Sequence, residues 1–433
     1  MSNLSAQRSS AEDLAKTFVQ LSQNYAGNCA DPYPIYAEKR ASSPVYAGDL
    51  LRDMGVPSLA AGLTGTRPVY SLLKYADVQA ALIDTKTFSL SPYREMFGPV
   101  QGETIQMLEG DPHQFWRRML TNIFQKSVLD SWLERLFAPT ILRSVKAIAP
   151  RGKAELLGDL MLGFPAEVVY QMIGLPADDK DMLHQFQEWA LLMAMGGLAD
   201  FRNPEQAVKA TATAQKALDE LTTHITKIVA ERRRQGATGD DLLSAMINAR
   251  VDGQALSDFD VIQFTRSLLP AAAETTTRSF ANAMALLLER PDQLNRLRED
   301  RSLIMGAMNE ALRYEATAGA LPRVTTRDVE VRGVTIPEGT GVNLLVNAAN
   351  RDEDAYPNAE NFDITRRGKA GLGFGYGPHM CMGLQLAKME MESALNAMFD
   401  HMPNLRLDPD ADFRGVQGIH FRTPPSVPVI WDC

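Results

Sequence analysis

The sequence feature that most constrains the fold is a loop rich in glycine, Gly371 to Gly383, which reads GLGFGYGPHMCMG. Four alternating glycines precede Cys381, and an apolar stripe typical of a helix begins at Leu384. Glycine lets a backbone pass close to a flat or bulky group. Free N–H groups at a helix start stabilise a thiolate, and Phe374 would keep water from the sulfur. The pattern predicts a turn that presents one cysteine to a bound group.

Cysteine content limits what that group can be. The chain has 433 residues and only three cysteines, Cys29, Cys381 and Cys433. Three thiols cannot build a disulfide framework or a four-thiolate zinc site. One alternative is a zinc site that includes His379 and Cys381, but the sequence has no second ligand pair with the spacing of zinc ligands. The other is an ordinary buried thiol, which would not need the four glycines. A haem-iron thiolate fits better, because it pushes electron density onto iron and favours O–O cleavage.

Charge and composition exclude several other classes of function. The 44 basic and 53 acidic residues leave a net charge of −9, which gives no general attraction to nucleic acid or anionic lipid. The first 25 residues are too polar for a signal sequence or membrane anchor. The low cysteine content suggests a reducing compartment. We therefore expect a cytoplasmic protein that binds neither nucleic acid nor membrane.

Periodicity predicts a mostly helical chain with a small β-rich part. A helical pattern runs from Pro112 to Tyr314, interrupted at glycine and proline. We expect the polar first 30 residues to be loosely ordered. Period-two alternation predicts strands, which we place at 44–47, 69–73, 329–336, 342–346 and 419–431.

The pattern F-G-x-G-x-H-x-C-x-G at Phe374 to Gly383 resembles the signature of the cytochrome P-450 family, and every fixed position matches. The resemblance extends from about residue 31 to residue 431. It implies a mainly α fold, a triangular helical domain with a small β-rich part. Residues 31–433 would form this single domain after a polar segment, 1–30. It also implies haem b (iron protoporphyrin IX), with its iron ligated by Cys381.

Glu310 and Arg313 resemble the E-x-x-R pair of that family. Side chains three apart share a helix face, so a solvated surface pair of little energetic weight is the alternative interpretation. The resemblance favours a buried pair, because it lies about seventy residues before the cysteine. Relatives often have arginine before Phe362. Asn361 stands there in this chain, and Arg366 is an alternative third partner.

The resemblance also implies a set of cations that hold the haem propionates. His113 and Arg117 lie four residues apart near a helix start that Pro112 suits. Their nitrogens would match the carboxylates. Arg323 and His379 match further propionate contacts of the family. A solvated cationic turn is the alternative, but it does not explain the spacing of the whole set.

A long helical pattern, Leu256 to Arg290, contains an acid and alcohol that resemble the proton relay of the family, Glu274 and Thr275. Thr275 is expected to bond back to the carbonyl of Ala271, which loosens the helix where O₂ and water need room. Ala272 replaces the family's glycine and narrows the groove, but the acid and alcohol remain. The alternative is a threonine-rich helix surface.

The resemblance places the substrate pocket in four segments, 88–100, 189–201, 268–275 and 316–321. Their content is apolar, and at least half of it would be ordinary core. No charge anchor is evident, so we expect a hydrophobic substrate. The pocket residues that we propose are Leu192, Leu268, Ala271 and Ala318, with Met96, Phe97, Met193 and Leu198 as further apolar candidates.

We predict a monomeric monooxygenase that inserts one atom of O₂ into an organic substrate. No flavin or iron–sulfur motif is evident, so electrons would come from a ferredoxin or flavodoxin with an NAD(P)H reductase. A peroxide-driven peroxygenase and a non-catalytic haem sensor or carrier are alternatives, and the acid–alcohol pair argues against both. An acidic partner would dock on a basic proximal face, which we predict from Arg117, Arg118, Lys126, Arg366, Arg367 and Lys388.

Overall fold

The structure is a computed structural model that describes residues 11–197 and 203–433. As predicted, it is mainly helical with small sheets. None of the helices in these ranges has the length and apolar character needed to cross a bilayer. The α-helices are α1 Ala11–Gln23, α2 Tyr33–Ser42, α3 Leu50–Asp53, α4 Tyr75–Ile83, α5 Ser91–Gln101, α6 Gly110–Thr121, α7 Lys126–Trp132, α8 Ala138–Ile148, α9 Phe164–Met172, α10 Lys180–Gly197, α11 Pro204–Arg234, α12 Leu242–Asn248, α13 Asp258–Leu288, α14 Pro291–Glu299, α15 Ile304–Tyr314, α16 Val346–Ala349 and α17 Leu384–His401.

The β structure is concentrated in one five-stranded sheet with the order β1-β2-β10-β7-β3, in which only β2 and β10 are parallel. The described part of the chain also contains a three-stranded sheet, β11-β12-β4, and two hairpins, β5-β6 and β8-β9. The strands are β1 Val45–Tyr46, β2 Val69–Leu72, β3 Phe88–Ser89, β4 Lys153–Glu155, β5 Arg250–Val251, β6 Gln254–Ala255, β7 Leu321–Thr325, β8 Val329–Val331, β9 Val334–Ile336, β10 Gly341–Leu344, β11 Arg406–Leu407 and β12 Pro428–Ile430.

The predicted single strand at 329–336 is wrong. Arg332 and Gly333 have φ of 52° and 77°, and two successive positive φ values make the tight turn that favours a hairpin. β8 and β9 therefore pair with each other. The predicted strand at 419–431 is also too long, because only Pro428–Ile430 pairs as a strand.

Helix α13 is the central element and packs against α9, α10, α11, α15 and α17. It begins where the sequence predicts. Ser257 accepts from the N–H of Asp260, and the Asp260 carboxylate accepts from the N–H of Ser257, which forms a capping box. From Ala273 to Leu288 nearly every residue is buried. One exception, Thr275, lies at the site described below.

The described part of the predicted N-terminal segment is more ordered than its polarity suggests. Helix α1 buries Phe18 and Leu21, and Tyr25 follows them into the main hydrophobic core. Its apolar residues recur at helical spacing, so one face covers the core while the other stays polar. The domain division at residue 30 stays a prediction, but the chain already contributes to the core from α1.

Glu310 and Arg313 form a buried ion pair, so the interpretation as a surface pair is wrong. Each side chain is only 2% exposed, and the closest N–O distance is 2.8 Å. Arg313 also donates to the carbonyls of Asn350 and Ala359 at 2.8 and 2.9 Å. The third partner is Arg366, whose Nε lies 3.0 Å from Glu310 Oε1. One carboxylate on α15 thus binds two guanidinium groups.

The cysteine loop is packed directly on this ion pair. A Cβ added to Gly371 would lie 3.0 Å from Arg313 Cα, and one added to Gly373 would lie 3.0 Å from Ala316 Cβ. The glycines at these positions are therefore required for close approach to α15 and the residues after it. The loop takes its position from Arg313, although the two are far apart in sequence.

We expect Arg313→Ala to destabilise the fold by about 3–5 kcal/mol, because Glu310 would lose its closest countercharge inside the protein. Chemical denaturation measures the change. Arg414→Ala is the matched control, since Arg414 pairs with Asp412 on the exposed surface, and we expect no measurable effect there. A denaturation midpoint of Arg313→Ala equal to that of the unsubstituted protein would contradict the structural role of the buried pair.

Candidate functional site

Cys381 lies in a turn just before α17, with its sulfur facing backbone N–H groups. The N–H of Cys381 donates to the carbonyl of Phe374 at 2.8 Å, which closes the loop. The N–H groups of Gly383 and Leu384 donate to the Cys381 side chain. Gly375 adopts a φ of 72°, a conformation that favours glycine. The loop therefore directs the positive end of α17 at one sulfur atom.

The environment of Cys381 acts on its pKa in two directions. Desolvation by the surrounding protein is the larger effect and raises the pKa of the thiol, although the residue stays accessible to solvent. The N–H of Gly383, the Arg117 guanidinium and the N–H of Leu384 oppose this effect. The two N–H donors and the Arg117 guanidinium are thus the groups of the protein that would stabilise a thiolate bound to a cation.

The predicted propionate cations converge from α6, β7 and the cysteine loop. The rings of His113 and His379 stack at 3.9 Å, and Arg117 Nη1 donates to the carbonyl of Met380 at 3.0 Å. Arg323 is 2% exposed, and its Nε is buried with no hydrogen-bond partner among the residues that the structure describes. These contacts place His113 and Arg117 of α6 against the cysteine loop, and Arg323 of β7 is near enough for its charge to act on His379.

The electrostatics of this cluster point to an anionic ligand. Burial, and then His113, Arg323 and Arg117, lower the pKa of His379 to about 3. Burial and Arg117 also lower the pKa of His113. Within residues 11–197 and 203–433, Arg117 and Arg323 form no ion pair, although the charge of Glu109 acts on Arg323 from a longer distance. Arg323 is a buried cation and Arg117 a half-buried one, and buried cations require countercharge. The two guanidinium groups, with the histidine N–H donors beside them, therefore fit the two carboxylates of haem, with Cys381 available for its iron.

Tyr93 is a contact of this cluster that the sequence did not reveal. Its hydroxyl forms a hydrogen bond with Arg323. Desolvation is the main effect and raises the pKa of Tyr93, while Arg323 lowers it. Because α5 and β7 are distant in sequence, no local pattern indicated the pair.

Thr275 is the one exposed residue among buried neighbours on α13. Leu268, Ala271 and Ala272 are also partly accessible and share its face of the helix. The Thr275 hydroxyl donates to the carbonyl of Ala271 at 2.6 Å, so the predicted bond is confirmed. α13 continues through Pro270 without a break. The Thr275 side chain therefore lies at one end of a partly accessible stripe of small and apolar residues.

Glu274 is buried next to Thr275 and forms an ion pair with Arg278, one turn further along α13. No motif in the sequence had indicated a role for Arg278. Its spacing of four residues from an acid is the signal that would have identified it. The carboxylate is therefore directed along the helix toward residue 278 rather than left free.

The proposed pocket residues Leu192, Leu268, Ala271 and Ala318 are all half-buried. They lie on α10, α13 and the segment between α15 and β7. Leu198 and the end of the predicted segment 189–201 fall outside the described residues. A small cavity between α5, α10 and α11 brings three further predicted residues together, and its lining is Met96, Phe97, Gln101, Met193, Gly196, Ala214 and Leu218.

The predicted basic face is only partly available to a partner. Arg366 binds Glu310, so the prediction that it contacts a partner is wrong, and its role is structural. Arg118 pairs with Asp252 at 2.9 Å on the exposed surface, and Lys126 pairs with Asp130. Burial lowers the pKa of Lys388. Arg367 is exposed.

Comparison with known proteins identifies what the chain is similar to. A family model described as cytochrome P-450 matches residues 63–410. The cyclomarin C epoxidase of Salinispora arenicola is 33% identical over 344 residues, which are 78% of this chain and 85% of that protein. The erythromycin C-12 hydroxylase of Saccharopolyspora erythraea is 33% identical over 348 residues, with coverage of 79% and 84%.

A solved structure supports the same similarity at the level of the fold. CYP109E1 from Bacillus megaterium, in complex with testosterone, superposes with a TM-score of 0.79. The superposition covers 93% of this chain and 100% of that one, at 23% sequence identity.

The cation cluster predicts which arginine of α6 retains haem. Arg117→Ala should speed haem loss tenfold or more, because a charge-assisted hydrogen bond contributes about 1.5–3 kcal/mol. Transfer of haem to an acceptor protein measures the rate. Arg118→Ala removes the neighbouring, exposed cation and should leave the rate unchanged. Equal rates in the two variants would be evidence against the propionate role of Arg117.

Proposed function

The chain belongs to the cytochrome P-450 family, and on this premise we propose roles for its site residues. The protein is a haem-thiolate monooxygenase, and its cofactor is haem b held by a cysteine thiolate. We assign that thiolate to Cys381. The observation that carries the assignment is the set of N–H donors from Gly383 and Leu384, with Arg117 nearby. Phe374 closes the same turn.

Haem b, when bound, supplies the site at which O₂ binds and is activated. His113, Arg117, Arg323 and His379 are assigned to its two propionates. What supports this role is their convergence without a carboxylate partner for either arginine among the described residues. By pairing with the propionates, these side chains would fix the orientation of the haem plane relative to α13.

Glu274 and Thr275 are assigned to proton delivery. Thr275 is accessible while its neighbours on α13 are buried. This supports its role, because a hydroxyl packed inside the protein could not contact a bound reactant. Its bond to Ala271 holds the oxygen atom in one orientation. Glu274, buried beside it, is the nearest acid on the helix. Its carboxylate would take up protons and pass them toward Thr275.

The substrate is a hydrophobic organic molecule, and O₂ is the co-substrate. We propose insertion into a C–H bond or an alkene, because the relatives include a hydroxylase and an epoxidase. The half-buried, apolar Leu192, Leu268, Ala271 and Ala318 support an apolar pocket wall.

A ferredoxin or flavodoxin with an NAD(P)H reductase is the proposed source of electrons. We also propose a cytoplasmic monomer, for which the low cysteine content supports a reducing compartment. Turnover with ferredoxin and NAD(P)H, compared with turnover on peroxide alone, tests this proposal. Product that forms only with peroxide would contradict the monooxygenase route.

Cys381→Ser should abolish the thiolate-type absorption of the reduced carbon monoxide complex, because a serine oxygen donates less electron density to iron than a thiolate does. Cys29→Ser and Cys433→Ser are matched controls and should keep that absorption. A thiolate spectrum that persists in Cys381→Ser and disappears in one of the controls would assign the ligand elsewhere.

Thr275→Ala should lower the yield of product per electron and raise the yield of peroxide, because the hydroxyl that orients proton delivery is lost. Removal of a positioned acid–base group typically costs about 10²–10⁴-fold in rate. Thr275→Ser keeps the hydroxyl and should restore most of the coupling. Product yield and peroxide are measured per NAD(P)H consumed. Full coupling in Thr275→Ala would refute the role.

A further inference from the structure

Arg278 is completely buried and links three parts of the chain. Its Nε donates to the Glu274 carboxylate. Its Nη1 donates to Ser22 Oγ at 2.6 Å and to the carbonyl of Phe421 at 2.9 Å. The guanidinium also lies over the ring of Phe18, 4.3 Å from the centroid. Helix α1 and the turn around Phe421 therefore hold the cation that binds Glu274.

The turn at Phe421 is itself strained. Phe421 has a φ of 50°, a value that is rare for a bulky side chain. Such a conformation persists when surrounding contacts determine it. Here Gln417 and Thr423 form a bridge around the turn, and Arg278 binds the Phe421 carbonyl. The guanidinium thus has a fixed position that does not depend on Glu274.

Stability alone does not account for an arginine at this place. A buried ion pair gains little over well-packed apolar side chains. In addition, Arg278 Nη2 is buried without a hydrogen-bond partner among the described residues, which adds a cost. A residue that costs stability in the core, and that binds the acid beside Thr275, is more consistent with a functional constraint.

The other groups that face Arg278 are uncharged, so its positive charge is balanced by Glu274. From α1 it meets a hydroxyl and a ring, those of Ser22 and Phe18. From the C-terminal turn it meets a carbonyl. His420 lies nearby, but burial, followed by the charge of Arg278, lowers its pKa to about 3. His420 is therefore neutral and does not compete for the carboxylate.

We propose that Arg278 is a positioning residue that, through the buried ion pair, holds the Glu274 carboxylate in one orientation, with α1 and the Phe421 turn as its supports. The inference rests on the proposed role of Glu274 in proton delivery. It makes α1, through Ser22 and Phe18, an indirect part of the oxidation machinery.

Infrared difference spectroscopy on the ferric enzyme, in the absence of turnover, tests the pairing. In Arg278→Gln the buried Glu274 loses its countercharge and should bind a proton, so a protonated-carboxyl band should appear. The band should be absent from the double variant Glu274→Gln/Arg278→Gln and from Arg278→Lys. If Arg278→Gln shows no such band, the proposal is overturned.

Coupling of electrons to product tests the consequence. Arg278→Gln should raise the peroxide formed per NAD(P)H severalfold, and Arg278→Lys should restore part of the coupling. Ser22→Ala, which leaves both charges in place, should raise peroxide in the same direction by a smaller factor. Arg290→Gln is the matched control, since Arg290 follows α13 and contacts the rings of Tyr314 and Phe362. It should behave like the unsubstituted enzyme.

The outcomes separate this inference from the proposed function. Failure of the unsubstituted protein to give a thiolate-type spectrum would refute the proposed function itself. If Arg278→Gln and Ser22→Ala both give a thiolate spectrum and couple electrons to product as well as the unsubstituted enzyme does, only the role of Arg278 is refuted. If Arg278→Gln fails to fold with haem, the test rests on Ser22→Ala and Arg278→Lys. Coupling of electrons to product in Ser22→Ala that equals that of the unsubstituted enzyme would then overturn the proposal.

Discussion

The buried carboxylate of Glu310 is the point on which the cysteine loop depends. It binds Arg313 and Arg366, and Arg313 fixes the carbonyls of the segment before the loop. Glycines then let the loop backbone lie against α15 at close contact. An ion pair of this kind does not need to make the protein more stable than an apolar core would. Its contribution is to geometry, because a guanidinium and a carboxylate that pair through two hydrogen bonds have few allowed relative orientations. The pair thereby limits the positions that the cysteine loop, and with it the Cys381 sulfur, can take.

The second half of the site is organised by α13 in a different way. From Ala273 to Leu288 the helix is buried except at Thr275, which ends a partly accessible stripe that includes Leu268 and Ala271. Glu274 lies beside the stripe but is paired with Arg278 behind it. The acid and the alcohol are thus neighbours in sequence with opposite surroundings, since Glu274 is buried against Arg278 and Thr275 is accessible. In the proposed relay, proton delivery to Thr275 would therefore depend on how firmly Arg278 fixes the position of the Glu274 carboxylate.

Local patterns predicted much of this arrangement. The glycine spacing indicated the cysteine loop, the helical pattern from Leu256 predicted the start of α13, and the i,i+4 rule predicted the bond from Thr275 to Ala271. Other features left no local trace. Tyr93 reaches Arg323, and Ser22 reaches Arg278, only because separate elements pack together. Polarity likewise concealed the packing of α1, since an amphipathic helix and a solvated one have similar composition.

The contacts of Arg278 have a consequence for how the site is built during synthesis. Its partner in α1 lies 256 positions before it, and its partner in the last turn lies 143 positions after it. Contacts between such distant residues close large loops, so their formation costs more loop-closure entropy than that of local contacts. Because synthesis starts at the N-terminus, the Phe421 carbonyl is also the last of these groups to be made. A nascent chain can therefore assemble the cysteine loop and α13 while the environment of Glu274 is still incomplete. The relay acid would acquire its final surroundings only when the segment around Phe421 docks, so maturation of the catalytic site and completion of the fold coincide.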